Sequence, residues 1–297
     1  MRNSMRIRAP ALRRPTHLGL AEPGAFFLEA TDGEMATAIL IDGGYFVKRF
    51  RRIEPHNAQN AQRAAELAFR WSILHLSQMG KRKELYRIFF YDCPPLDKRM
   101  HNPISGRSVN FALSEEAVFR NELHRLLRTK RKVALRLGEL SQHVSWTIPA
   151  AMIGDLLKRR ISIDQVEAVH VVPDVRQKGV DMRIAVDISS LSLKKQVDQI
   201  VLFAGDADFV PAAKLARREG IDFVLDPMWN DRLNPGLNEH VDGIRSVSPR
   251  PNRHTAGRAG EHAGNPSIEC VPDVEVAQAV EAIEAQIVAN LNSDTPS

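Results

Sequence analysis

The chain has 297 residues, of which 43% are hydrophobic and 26% charged, and its formal net charge is +5. These proportions belong to a folded protein rather than a disordered chain, and no apolar run approaches the ~18 residues needed to cross a bilayer. Two cysteines, Cys93 and Cys270, lie far apart, which excludes a disulfide framework or a thiolate metal site and suits a reducing cytoplasm.

Residues 1–34 mix Arg, Pro and Ala without a periodic apolar face or the apolar core of a secretory signal. They read as a disordered leader, with Met35 as an alternative start or the basic stretch as a nucleic-acid arm. The first ordered element is the β-compatible run Ala36 to Ile41. From there to about Ser248, strand-like runs alternate with helical patterns. Leu85 to Tyr91, Gln199 to Ala204 and Ile221 to Leu225 are continuous enough for strands buried on both faces. Val133 to Leu137 and Val169 to Val172 read as shorter strands. Amphipathic spacing predicts helices over Asn60 to Gln78, Glu115 to Arg128, Val180 to Leu191 and Phe209 to Arg218. Ser114, with Glu115 and Glu116 behind it, marks a helix start. The alternation implies a three-layer α/β domain over residues 35–248 with a largely parallel sheet. Residues 249–272 read as a Pro- and Gly-containing linker. Residues 273–292 read as an amphipathic helix that would dock on the domain or pair with a partner helix, a second copy included.

Charge is unevenly spread. Lys48 to Arg136 holds 20 Lys and Arg against 8 Asp and Glu, a net +12, whereas Leu137 to Ser297 holds 16 against 23, a net −7. A basic half suits an anionic partner such as nucleic acid, although solvated helix faces give the same composition.

The phosphate-binding, dinucleotide-binding, serine-hydrolase and zinc-protease motifs are all absent. What remains is acidic. Asp42 follows the first strand, and Asp206 and Asp208 follow the Val201 to Ala204 strand. Ligands of open α/β sheets bind beyond these carboxyl ends. Asp181 opens a predicted helix whose Ile184, Ala185 and Ile188 place it on the buried stripe. Each Asp alone suits a helix cap. Together they repel unless cations or protons lie between them, and oxygen ligands without His or Cys select Mg²⁺ or Mn²⁺. Such an ion activates water for phosphodiester cleavage.

Three strings now stand in order: Asp42-Gly43-Gly44-Tyr45-Phe46, Gln177-Lys178-Gly179-Val180-Asp181 and Gly205-Asp206-Ala207-Asp208-Phe209. With Tyr91-Asp92-Cys93-Pro94-Pro95, they resemble the NYN domain in its bacterial LabA-like branch, over about Met35 to Ser248. The resemblance implies a PIN-like, Rossmannoid fold and a metal-dependent ribonuclease whose acidic residues correspond to Asp42, Asp181, Asp206 and Asp208. Ala207 stands where the family often has Ser, which removes a hydroxyl but no ligand. Lys178 is a candidate for the scissile phosphate and Tyr45 for base stacking or helix packing. Asp92 is a candidate for the site or for a turn. Lys81, Arg82, Lys83, Lys130, Arg131 and Lys132 suit a phosphate track or loop solvation. The expected partner is single-stranded or structured RNA, with no membrane role. A non-catalytic RNA-binding or signalling module and a small-ester phosphatase are the rival readings.

Overall fold

The computed structural model describes residues 36–78 and 81–251. The predicted leader and C-terminal helix, and nearly all of the linker, lie outside the described residues. Six parallel strands form the central sheet: β1 (Ala36–Asp42), β2 (Glu84–Asp92), β3 (Val133–Leu137), β4 (Gln199–Phe203), β5 (Asp222–Asp226) and β6 (Gly243–Ile244). Their spatial order is β6-β5-β4-β1-β2-β3. The chain thus winds outward from β1 through β2 and β3, then returns to build the other half from β4. The predicted α/β class and parallel sheet are both present.

The sheet is parallel because its central strands are apolar on both faces, and it is covered on both. Along β1, Ile39 and Ile41 enter one core, while Ala38 and Leu40 enter the other. The first core is closed by α1 (Gly43–Ile53), α2 (Ala61–Leu74) and α3 (Glu115–Thr129), whose Phe46, Phe50, Trp71, Phe119 and Leu123 are buried there. A short α4 (Ala150–Leu157) buries none of its residues. The second core is closed by α5 (Val180–Leu193) and α6 (Val210–Arg218), through Ile184, Ile188, Ala213 and Ala216. Each fully buried Phe or Ile contributes about 1.5–3 kcal/mol through removal from water.

Capping follows the sequence closely. Ser114 Oγ accepts the Ala117 N–H at 3.2 Å to start α3, and Asn60 Oδ1 accepts that of Arg63 at 3.0 Å to start α2. Two expectations are corrected. Helix α2 ends at Leu74 rather than Gln78, because His75 leaves it to meet the buried Asp226 carboxylate at 2.9 Å. The predicted Val169 to Val172 strand is instead a 3-10 turn over Ala168–His170, closed by Glu167 N–H on His170 Nδ1 at 2.9 Å. The chain becomes extended from Val171, and the strand Val172–Asp174 pairs with Ser145–Thr147 away from the central sheet.

Candidate functional site

Strands β1 and β4 are neighbours, yet the chain leaves them in opposite directions across the sheet. In such sheets the crevice at this reversal, beyond the carboxyl ends of the strands, is where ligands bind. Asp42 is the last residue of β1, and Asp206 lies three positions beyond the end of β4. Asp42 caps α1: its Oδ1 accepts the Tyr45 N–H at 3.1 Å. Asp206 caps the 3-10 turn Ala207–Phe209, and its Oδ1 accepts the Asp208 N–H at 3.4 Å. Two glycines permit this close assembly. A Cβ on Gly43 would stand 2.6 Å from Tyr91 O, and one on Gly205 would stand 2.6 Å from the Tyr45 ring.

The four predicted carboxylates are brought to this edge and feel one another. Asp42 is pushed up to about 6, first by burial, then by the charges of Asp181 and Asp92, against the relief of its backbone hydrogen bonds. Asp181 is raised by burial and then by Asp206 and Asp208. Asp181 therefore couples the β1 carboxylate to the β4 pair. Its side chain is exposed rather than on the buried stripe, because that stripe runs through Val180, Ile184, Ile188 and Leu191 and leaves Asp181 at its edge. Asp206 and Asp208 are also exposed. This all-oxygen donor set fits a hard divalent cation in its chemistry. As they stand, however, no three His, Cys, Asp or Glu side chains among the described residues are grouped to hold a metal ion.

A cavity of about 590 Å³ opens beside Asp42 and Asp206, with Tyr45, Lys48, Asn230, Arg232 and Asn234 on its walls. Lys48, Asn230, Arg232 and Asn234 were not singled out by the sequence, since nothing local marks a helix lysine or a post-strand loop as facing a site. Tyr45 is half-buried, and its hydroxyl donates to Pro227 O at 2.7 Å. It is thus a packing and latching residue, with its phenol pushed up to about 12 by burial. Lys178 is exposed on the short strand Gln177–Lys178, paired with Glu139–Leu140. Its neighbour Gln177 approaches the site, with Oε1 4.0 Å from where a Gly44 Cβ would lie.

The other basic candidates are not brought to the crevice. Lys83 Nζ donates to Gln199 Oε1 at 3.0 Å, and Lys132 Nζ donates to Leu85 O at 2.5 Å. Both partners lie at the amino ends of strands. Along β2, that is roughly 23 Å from Asp92, at about 3.3 Å per residue. Lys81 and Arg82 pair with Ser77 and Gln78 just before β2, and Lys130 and Arg131 precede β3. Lys130 Nζ lies 5.3 Å from the Phe69 ring centre. These residues therefore lie at the opposite edge of the sheet from the acidic crevice, so a phosphate track through them would run at a distance from it. Asp92 is buried and held by α3: His124 Nε2 is 2.8 Å from Oδ2, and Arg120 forms an ion pair with Oδ1.

Residues 112–234 match the NYN domain. NYN domains are in general nucleases. The matched span is narrower than Met35 to Ser248. It includes Asp181, Asp206, Asp208 and Arg232, whereas Asp42 joins them through the pairing of β1 with β4. Among solved structures, the chain is similar to VPA0982, a protein of unknown function from Vibrio parahaemolyticus RIMD 2210633. The two are 14% identical, with 72% of this chain and 93% of that chain covered and a TM-score of 0.36. No curated protein matches the chain. Among the described residues, no helix is long and apolar enough to cross a membrane.

Proposed function

We propose that the chain is a metal-dependent ribonuclease of the LabA-like branch of NYN domains, hydrolysing phosphodiester bonds of RNA in a reducing cytoplasm. The observation that carries this reading is Asp42, a largely buried carboxylate that no side-chain cation among the described residues neutralises and that is coupled to three further carboxylates through Asp181. Asp42, Asp181 and Asp206 would hold Mg²⁺ or Mn²⁺, with Asp208 as a further ligand or the group that orients the attacking water. The ion, when bound, would lower the pKa of water and offset charge on the leaving oxygen. Asp42 is pre-oriented by its hydrogen bond from Tyr45 N–H, and Asp206 by that from Asp208 N–H. Each is thereby oriented locally, while the group as a whole would have to draw together around the cation. The cavity walls would bind and orient the RNA.

A second reading is favoured by one observation, that the carboxylates are not drawn together around a common point. A non-catalytic RNA-binding or signalling module would keep the fold and the charge without the reaction. Cleavage of a labelled RNA with Mn²⁺ separates the two. The nuclease reading expects cleavage by the wild type and its loss in Asp42→Asn and Asp206→Asn with unchanged circular dichroism. RNA binding without metal-stimulated cleavage by the wild type would establish the second reading.

A further inference from the structure

We propose that Lys48 and Arg232 form an anion subsite that holds the phosphate adjacent to the scissile one on a single strand of RNA. The inference rests on the nuclease reading for its substrate and adds the residues that grip it. Both side chains are exposed, line the cavity that Asp42 and Asp206 border, and have no ion-pair partner among the described residues. Several other arginines of the domain are engaged: Arg51 with Glu116, Arg63 with Glu54, Arg120 with Asp92 and Arg217 with Asp242. Cations left unpaired beside acidic side chains suit a ligand that brings its own negative charge.

The segment leading to Arg232 is held firmly. Met228 and Trp229 take positive φ values of 47° and 58°, a conformation unfavourable for side-chain-bearing residues that persists only where surroundings enforce it. Those surroundings are specific. Tyr45 donates to Pro227 O at 2.7 Å, and Arg49 donates to Met228 O through Nε at 3.0 Å and Nη2 at 2.5 Å. Met228 N–H donates to Asp226 Oδ1 at 2.7 Å, and Trp229 Nε1–H to Ser248 O at 2.5 Å. Helix α1 therefore supplies both the latch, Tyr45 and Arg49, and one of the two cations, Lys48. Beyond the turn, Asn230 Oδ1 accepts the Arg232 N–H at 3.3 Å. Asn234 Oδ1 accepts the Gly236 N–H at 2.9 Å, which leaves its NH₂ as a donor.

The occupant follows from charge and size. The carboxylates of Asp42 and Asp206 repel an anion on their side, so the cations hold a phosphate displaced from them. A substrate that reaches both needs at least two phosphates in a chain. A cavity of about 590 Å³ has small-ligand dimensions and takes one strand rather than a duplex.

The test uses the full chain in EDTA with a fluorescein-labelled ten-residue oligouridylate, followed by anisotropy over a range of salt. Lys48→Gln and Arg232→Gln should each weaken binding about tenfold and reduce the salt slope by ~0.7 for each phosphate no longer neutralised. Lys130→Gln, at the opposite edge, should leave both unchanged. Unaltered affinity and slope in Lys48→Gln and Arg232→Gln, or a wild type that does not bind, would overturn the subsite. A parallel Mn²⁺ cleavage assay separates the two readings. Binding that depends on Lys48 and Arg232 without cleavage would remove the nuclease reading and keep the subsite. Cleavage with unchanged binding in the variants would do the reverse.

Discussion

Three buried or largely buried carboxylates end three strands of one sheet, Asp42 on β1, Asp92 on β2 and Asp226 on β5, and their surroundings differ in kind. Asp92 is 1% exposed and meets Arg120 and His124; Asp226 is 0% exposed and meets His75, with N–H donors from Met228 and Val247. Asp42 has backbone donors and carboxylate neighbours, but no cation among the described residues is paired with it. A strand-end Asp therefore becomes a structural anchor when a distant helix brings it a base. Where only other acids arrive, as at Asp42, the carboxylate has no such anchor, and it is the one the proposed reading puts to use. The anchors also serve Asp42, since Asp226 fixes the turn that carries one cavity wall and the Asp92 charge raises Asp42.

Substitution of each by Asn should break the comparison in opposite directions. Asp92→Asn leaves Arg120 and His124 facing a neutral group in the core, and loss of one partner of a buried pair costs about 3–5 kcal/mol. Asp42→Asn keeps the cap, because Asn accepts the Tyr45 N–H as well as Asp does, and removes an unfavourable charge. The sign follows from proton uptake. Unfolded Asp42 ionises near 3.8, whereas the folded residue keeps its proton to about 6. The metal-free native state thus binds more protons between these values, and this group lowers stability as pH rises through that window. At about 1.4 kcal/mol per unit, the variant should gain at most about 3 kcal/mol at pH 7 and nothing near pH 4. Urea denaturation in EDTA at both pH values checks this. Equal destabilisation of the two variants would show that Asp42 is another anchor.

Asp42 and Asp92 were visible because an apolar run followed by Asp is a local pattern; Asp226 follows the Ile221 to Leu225 run in the same way but was not singled out. That local pattern does not reveal which strand-end Asp is paired, since Arg120 and His124 come from α3 and His75 from the residue after α2, 28 to 151 positions away. The buried strands and α3 and α5 were legible for the same local reason, through continuous apolar runs and 3.6-residue spacing. The two-residue β6 carries no periodicity at all. The distance of the basic runs from the crevice carries a local signal: Lys83 and Lys132 immediately precede strands, and in a parallel sheet such residues lie at the amino edge, away from the crevice. Arg232 had no signal, because its position depends on a turn held by α1.

Cation binding should sharpen the contrast by a smaller amount. If Mn²⁺ occupies the Asp42 group, saturation at about one hundred times Kd should stabilise the wild type by about 2.7 kcal/mol. Thermal unfolding with and without Mn²⁺ measures this, and Asp42→Asn should lose the shift while Lys130→Gln retains it. A wild type indifferent to Mn²⁺ would remove the metal from the reading.

Tyr45 gives the smallest effect and the finest distinction, because its ring and its hydroxyl belong to different hypotheses. If the ring stacked on a base, Tyr45→Phe would keep RNA affinity, since base stacking requires the π-face alone and is worth ~1–3 kcal/mol. In the structure, the ring lies against Gly205 and the hydroxyl donates to Pro227 O, on the strained turn that leads to Arg232. Removing that hydrogen bond should cost about 1 kcal/mol of stability and loosen the wall that presents Arg232. Affinity for a single-stranded oligonucleotide should then fall about two- to threefold in Tyr45→Phe, in proportion to the part of a ~1 kcal/mol loss expressed at the wall. Combining Tyr45→Phe with Arg232→Gln should add nothing further, because the latch acts through the cation it positions. Unchanged affinity in the Phe variant together with a loss in Tyr45→Leu would instead assign the ring to the base, and would leave the turn to be held by Arg49 and Asp226.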